Sequence, residues 1–327
     1  MFNTRPKHII FIYALLNTVT LAGLWSCRKD VENFRPYPST LEAIQQLLDQ
    51  VPSATSHATF VLSGTVPDTA LITPGGVRVF LTDNEHLFSD TDGNPVPCST
   101  CQTLRVEVTE ALRKGDIIAR GIHTVSTDGS LLESGGMLRI NVTCDGKALQ
   151  LLPDRKLKIQ VPADDPADDM FVFEGIMKSD TFGSWADTGL PVFQSDWLAP
   201  NQVDVITGYE LFSPHLNWIN CDRFVGEPTT SFCVDLPPEF NPENSRVYLV
   251  FENMQSIAPL ETDLSSGTFC YPMAPHGFQV RIVSISKTED GRYWLGNKQT
   301  EIGTNATVEV QPQEVQEQQV LNFLKNL

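Results

Sequence analysis

Leu104-Arg105-Val106-Glu107-Val108-Thr109 decides the fold. Apolar and polar residues alternate through it with period two. In an extended chain this puts Leu104, Val106 and Val108 on one face and Arg105, Glu107 and Thr109 on the other. The pattern returns where Leu138, Ile140 and Val142 alternate with Arg139 and Asn141. It returns again where Leu157, Ile159 and Val161 alternate with Lys156, Lys158 and Gln160. One buried face and one wet face point to antiparallel sheets. Turn residues punctuate the runs: Pro74-Gly75-Gly76, Asp92-Gly93-Asn94, Asp128-Gly129, Gly135-Gly136 and Asp145-Gly146. Asp-Gly between alternating runs is a strong hairpin signal. Residues 57–162 are therefore expected to form an antiparallel β-sandwich.

Outward from this segment the chain divides. Ala163-Asp164-Asp165-Pro166-Ala167-Asp168-Asp169 carries four acids and a proline, which a core does not accept. It is read as an acidic linker over 163–169 and as the domain boundary. Residues 170–312 again read mainly as strands, including Phe278, Val280 and Ile282 alternating with Gln279 and Arg281. The expected fold is all-β, with two antiparallel β-sandwich domains in tandem. Leu41, Ile44, Leu47 and Leu48 fall at helical spacing after the capping residues Ser39 and Thr40, which places a short N-terminal helix before the first domain. Val315, Val320, Leu321, Leu324 and Leu327 form a similar stripe, so 313–327 is expected to be a terminal helix or tail.

The amino terminus has a different composition. Arg5, Lys7 and His8 precede an apolar run from Ile9 to Leu24, and small Ser26 precedes Cys27. A charged start, an apolar middle and a small residue before a cut describe an export signal over 1–26. Leu24-Trp25-Ser26-Cys27 resembles the lipobox of bacterial lipoproteins, with Trp25 standing where that family prefers a small residue. The resemblance implies that Cys27 carries lipid and anchors residues 27–56, a tether and the short helix, to the membrane. Arg28-Lys29-Asp30-Val31-Glu32 is similar to the export tag that sends some Bacteroidetes lipoproteins to the cell surface. The implied location is the outer membrane, on its surface or its periplasmic face.

The chain has 23 basic and 40 acidic residues, for a net charge of −17. Without residues 1–26 it keeps 21 basic against 40 acidic residues, or −19. Such an excess of acid argues against nucleic acid and anionic headgroups as partners, since both need basic patches.

A second resemblance rests on Thr73-Pro74-Gly75-Gly76-Val77, Val106-Glu107-Val108, Ser130 to Met137 and Leu157 to Pro162. These stretches are similar to ZU5-type β-domains, and more so to a set of uncharacterised Bacteroidetes lipoproteins with a comparable unit. ZU5 domains elsewhere are largely protein-interaction modules, so the resemblance implies binding. Some relatives cleave themselves at His-Phe-Ser. This chain has His86-Leu87-Phe88-Ser89, and that activity is not carried over.

Candidate site residues are few. Asn217 to Phe224 is dense in polar and aromatic side chains and also resembles a stretch of those lipoproteins. Trp218, Asn220, Asp222 and Arg223 are the candidate ligand surface. The competing reading is a β-turn in which Asp222 and Arg223 pair while Trp218 fills the core. With Cys27 lipidated, three cysteines remain in each half: Cys98, Cys101 and Cys144, then Cys221, Cys233 and Cys270. An odd count requires either a bridge between the halves or one free thiol in each. Cys98 and Cys101 are the candidate disulfide or thiol pair, ahead of a zinc site completed by Cys144 and His123, and ahead of redox catalysis. Asp90-Thr91-Asp92-Gly93-Asn94 resembles the start of a calcium loop but lacks the later acidic ligand, and reads as a hairpin turn. Asp68-Thr69-Ala70 resembles a Bacteroidetes O-glycosylation site. Neither Gly-x-Ser-x-Gly nor a phosphate loop occurs, and the histidines show no metal or triad spacing. No metal or cofactor is expected. Two functions remain: a non-catalytic, lipid-anchored lipoprotein that binds an envelope protein or glycan, and an extracytoplasmic hydrolase whose site forms only in three dimensions.

Overall fold

Strand β1 (His57–Leu62) opens the larger sheet, and β2 (Leu71–Ile72) and β3 (Arg78–Phe80) enter the facing one. They are followed by β4 (Leu104–Ala111), β5 (Leu132–Cys144) and β6 (Leu157–Pro162). Next come β7 (Phe171–Lys178), β8 (Thr181–Pro191), β9 (Phe193–Leu198), β10 (Val205–Ser213) and β11 (Asn217–Phe224). The computed structural model describes residues 40–52, 56–63, 70–179, 181–262 and 267–327. Cys27 and its flanks, the export-tag stretch, and Asp68 and Thr69 lie outside the described residues.

The larger sheet runs β1-β4-β5-β11-β7-β8, with Lys147–Ala148 paired to β5 as well. The facing sheet runs β9-β10-β6-β3-β2. The alternation in the sequence is the reason they face each other. Leu104, Val106, Val108, Leu138, Ile140 and Val142 project from one sheet, and Leu157, Ile159 and Val161 from the other, into one buried cluster. Each such side chain contributes about 1.5–3 kcal/mol relative to an exposed one. At Asp145-Gly146 both residues have positive φ, 49° and 81°, as a tight hairpin turn requires. Gly135-Gly136 is not a turn. It is a bulge inside β5, where Cys221 of β11 opposes Gly136 and Asp222 opposes Ser134. Gly136 has φ +140°, and a Cβ there would lie 2.9 Å from Val161 Cγ1.

The domain boundary also differs from the expectation. Strands from both sides of 163–169 share both sheets: β6 pairs with β10 from Leu157↔Ser213 to Pro162↔Gly208. β5 likewise pairs with β11. Residues 163–169 form the crossover from β6 in one sheet to β7 in the other. Tyr209 Oη accepts a bond from Ala167 N at 2.7 Å, and Gln194 Nε2 donates to Pro166 O at 2.9 Å. Acid and proline dictate an exposed loop, and a sandwich has such loops at its ends as much as between domains.

The second sandwich begins after Phe224, with β12 (Thr229–Asp235), β13 (Ser245–Phe251), β14 (Ile257–Pro259) and β15 (Glu261–Thr262). It continues with β16 (Phe269–Pro275), β17 (Gln279–Lys287), β18 (Tyr293–Glu301), β19 (Ala306–Glu309) and β20 (Gln313–Val315). Its sheets run β15-β16-β12-β19 and β14-β13-β17-β18-β20. All pairings are antiparallel except β12 with β19. Phe232, Val234, Leu249, Phe251, Val280 and Ile282 fill the space between the two sheets.

A third core lies between the sandwiches. Met137, Phe173, Trp185 and Trp218 leave the outer face of the larger sheet, and Tyr248, Val250, Val283 and Ile285 leave the second sandwich to meet them. Helices α1 (Thr40–Leu48), α2 (Lys114–Ala119) and α3 (Glu317–Lys325) supply Ile44, Leu47, Ile117, Ile118, Val320 and Leu324. The two terminal apolar stripes are thus both docked helices. Residues 40–327 form one compact unit. No helix among the described residues is long and apolar enough to cross a membrane.

Candidate functional site

Strand β11 carries the four residues singled out from the sequence, and it places them in three environments. Trp218, 5% exposed, packs in the third core. Asn220 and Asp222 are fully buried. Ser134 Oγ donates to Asn220 Oδ1 at 2.8 Å, and Asn220 Nδ2 donates to Asp222 Oδ2 at 2.5 Å. Asp222 Oδ1 is buried and has no partner among the described residues. Burial pushes the Asp222 carboxyl well above its usual range, with Glu133 adding to the rise and Ser134 and Asn220 opposing it. Burial thus favours the neutral acid. Arg223 pairs with Glu133 directly across the strands, Nη2 to Oε2 at 2.6 Å. The segment is therefore neither a turn with an Asp222–Arg223 pair nor one ligand surface. The tryptophan fills a core as the competing reading has it, the two amide and acid groups form an interior network, and the arginine makes a half-exposed cross-strand pair.

The cysteines pair differently from the candidate Cys98–Cys101. Cys101 is bonded to Cys144 and Cys233 to Cys270. The reason is register: Leu104 sits opposite Cys144 on β4 and β5, so the end of the hairpin meets Cys101. Cys98 starts a single 3₁₀ turn and stays a buried thiol, which burial pushes up to about 11. Cys221 is the other buried free thiol. Because the boundary falls after Phe224 rather than at 163–169, both free thiols lie in the first sandwich, and the expected odd count of three per half does not hold. The zinc alternative loses its ligands, since Cys101 and Cys144 are joined and both His123 nitrogens are occupied. His123 Nε2 donates to Gly183 O at 3.2 Å, and Nδ1 accepts from Val125 N at 3.1 Å. Burial pushes this histidine down to about 4. Among the described residues no group of three or more His, Cys, Asp or Glu is placed to hold a metal. Asp90 spends its carboxylate on the Asp92 and Asn94 backbone amides at 3.0 and 2.8 Å, as a hairpin turn does.

The molecule's open clefts include one at the third core's rim. It has a volume of about 640 Å³, within the range of small-molecule sites. Its walls include Trp218, Phe182, Gln45, Arg120, Arg139 and Arg246. Neighbouring strands set Trp218 opposite Arg139 and Arg139 opposite Thr109, so these side chains share one face of the larger sheet. Gly121, with φ +64°, follows α2 and leaves the space beside Gln45 and Arg246 free of a side chain. Of these wall residues, Trp218 is the one that the sequence singles out as a candidate. The arginines lie far apart along the chain and share no motif, so only the packing of the larger sheet, α2 and β13 reveals them.

No family model matches the chain, and no curated protein matches it either. Among solved structures it is similar to gamma-CGTase from Alkalophilic bacillus clarkii. The identity is 13% and the TM-score 0.21, over 77% of this chain and 40% of that one. The chain thus spans less than half of that enzyme, and a likeness of this degree carries no argument about fold or activity.

Proposed function

We propose that the protein is a non-catalytic lipoprotein, held to the outer membrane through lipid on Cys27, that binds an envelope glycan or protein. The observation that carries this reading is the cleft beside Trp218, whose named walls are aromatic, amide and guanidinium groups. The carboxyl and imidazole groups that burial shifts, Asp222, Glu110 and His123, make interior bonds. Glu110, for example, accepts from Thr73 Oγ1. An aromatic wall with fixed donors suits recognition of a ligand rather than proton transfer to it. The lipobox-like stretch supports the anchor, and the resemblance to ZU5-type domains supports binding.

Two measurements test the reading. Cys27→Ala should release the full-length protein from the membrane fraction. The wild-type protein in detergent, titrated with neutral and acidic saccharides while its tryptophan fluorescence is followed, should bind without consuming them. Release of new reducing ends during the titration would favour the hydrolase instead.

A further inference from the structure

The cleft at the rim of the third core holds an electrostatic anomaly. The chain carries 40 acidic residues against 23 basic ones, yet Arg120, Arg139 and Arg246 line one space. Asp49 is the acid on that wall, and it already accepts a bond from Gln45 Nε2 at 2.8 Å. The three guanidinium groups are differently committed. Arg120 is half-buried, and its Nε donates to Glu110 O at 3.2 Å while Nη2 donates to Ser56 Oγ at 2.9 Å. Arg246 Nη1 donates to Gln45 Oε1 at 2.8 Å, so α1 and β13 hold its head at the rim. Arg139 is exposed and has neither an ion pair nor a side-chain hydrogen-bond partner among the described residues. Two arginines are thus held by hydrogen bonds to neutral groups, with Asp116, Asp49 and Glu110 the acids that act on Arg120, and a third stands unpaired beside them among the described residues.

We propose that this cleft binds a carboxylate-bearing saccharide of about one or two rings, its carboxylate held by Arg139 with Arg120 and Arg246. The guanidinium fork matches a carboxylate with two parallel hydrogen bonds, stronger than neutral ones. Phe182 and Trp218 offer an apolar wall to the ring, and Thr109, whose Oγ1 is bonded to His57 Nδ1 at 2.9 Å, lines the side beyond Arg139. Burial pulls the Arg120 guanidinium down, with Asp116, Asp49 and Glu110 opposing. A bound anion would add to the attraction that offsets this desolvation. The excess negative charge elsewhere is largely screened beyond about 8 Å at physiological salt, so it slows approach more than it weakens the bound state.

This inference rests on the binding reading above and narrows its ligand class. The test uses the full-length lipidated protein in detergent and isothermal titration with glucuronate, glucose and inorganic sulfate. Glucuronate should bind, glucose should bind at least about tenfold more weakly, and Arg139→Gln should weaken glucuronate by about tenfold or more. Because Arg139 has no ion pair or side-chain hydrogen bond among the described residues, Arg139→Gln should leave the melting temperature unchanged. Sulfate should compete with glucuronate but bind more weakly alone. Glucose binding that equals glucuronate and survives Arg139→Gln would overturn the acidic preference while leaving a glycan-binding protein. Sulfate binding as tight as glucuronate would show that the ring is not recognised and overturn the saccharide. Binding of none of the probes would overturn the inference and the glycan reading together.

Discussion

Asp222 shows how far a side chain's role departs from its chemistry in water. Its carboxyl is sealed in the larger sheet, with one oxygen bonded to Asn220 and the other unpaired among the described residues. A buried carboxylate is costly, so the group's folded pKa is raised. Stability from such a group is present below the unfolded pKa of 3.8 and is lost as pH rises through the folded value. Asp222→Asn keeps the acceptor for Asn220 and removes that loss. It should change stability by less than about 1 kcal/mol at pH 5 and make the protein no less stable than wild type at pH 8, by urea denaturation. Asp222→Leu leaves Asn220 Nδ2 unpaired and should cost about 1–3 kcal/mol. His123 runs the other way. Its folded pKa, about 4, lies below the usual 6.5, so the unfolded chain binds the proton first. Stability should therefore fall as pH drops from 6.5 to 4, by up to roughly 3 kcal/mol. His123→Gln should flatten that slope. An unchanged slope in the variant would assign the acid sensitivity to other groups.

At the scale of elements, helix α2 isolates a contact that propensity alone would misjudge. Gly115 lies inside it, where alanine would ordinarily gain about 1 kcal/mol. Here a Cβ would stand 1.9 Å from Leu324 O, on the backbone of α3. Backbone cannot rotate away, so Gly115→Ala should destabilise by about 1–3 kcal/mol net through overpacking, measured by chemical denaturation. A stabilised variant would mean that α3 is free to shift. The elements themselves were largely legible in the sequence. Leu104, Val106 and Val108 announce their strand because period two reports directly which face is buried. The stripe Val320, Leu321 and Leu324 announces its helix for the same reason. What was not legible is pairing across long separations. Nothing local tells β6 to accept β10 across the acidic loop, nor Cys101 to prefer Cys144 over Cys98, nor Arg139 to approach Arg246. The Gly135-Gly136 step looks like a turn because glycine permits positive φ in a turn and a bulge alike. The candidate ligand residues on β11 failed as a group for a related reason. Polar density marks either a site or a buried network, and only burial distinguishes them.

At the scale of the whole molecule, the third core decides how the two sandwiches behave. Each sandwich has its own interior and its own disulfide, and each could melt alone if the surface between them were small and polar. It is neither. Trp185, Phe173 and Tyr248 are buried between them, with apolar faces of all three helices. Polar bonds stitch the same seam: Thr124 N donates to Ile257 O at 2.8 Å, Ser134 N to Gln255 O at 3.1 Å and Ser256 Oγ to Leu132 O at 2.7 Å. Unfolding one sandwich would strip all of this from the other, so differential scanning calorimetry of the intact chain should show a single cooperative transition. Helix α3 closes the seam with Val320, Leu321 and Leu324. Ending the chain before Glu317 would remove them, at about 1.5–3 kcal/mol each. Truncation should lower the melting temperature and separate the endotherm into two, because the sandwiches keep their own cores while their common one is opened. Two transitions in the intact chain, or one unaltered transition after truncation, would show that the third core does not couple the halves.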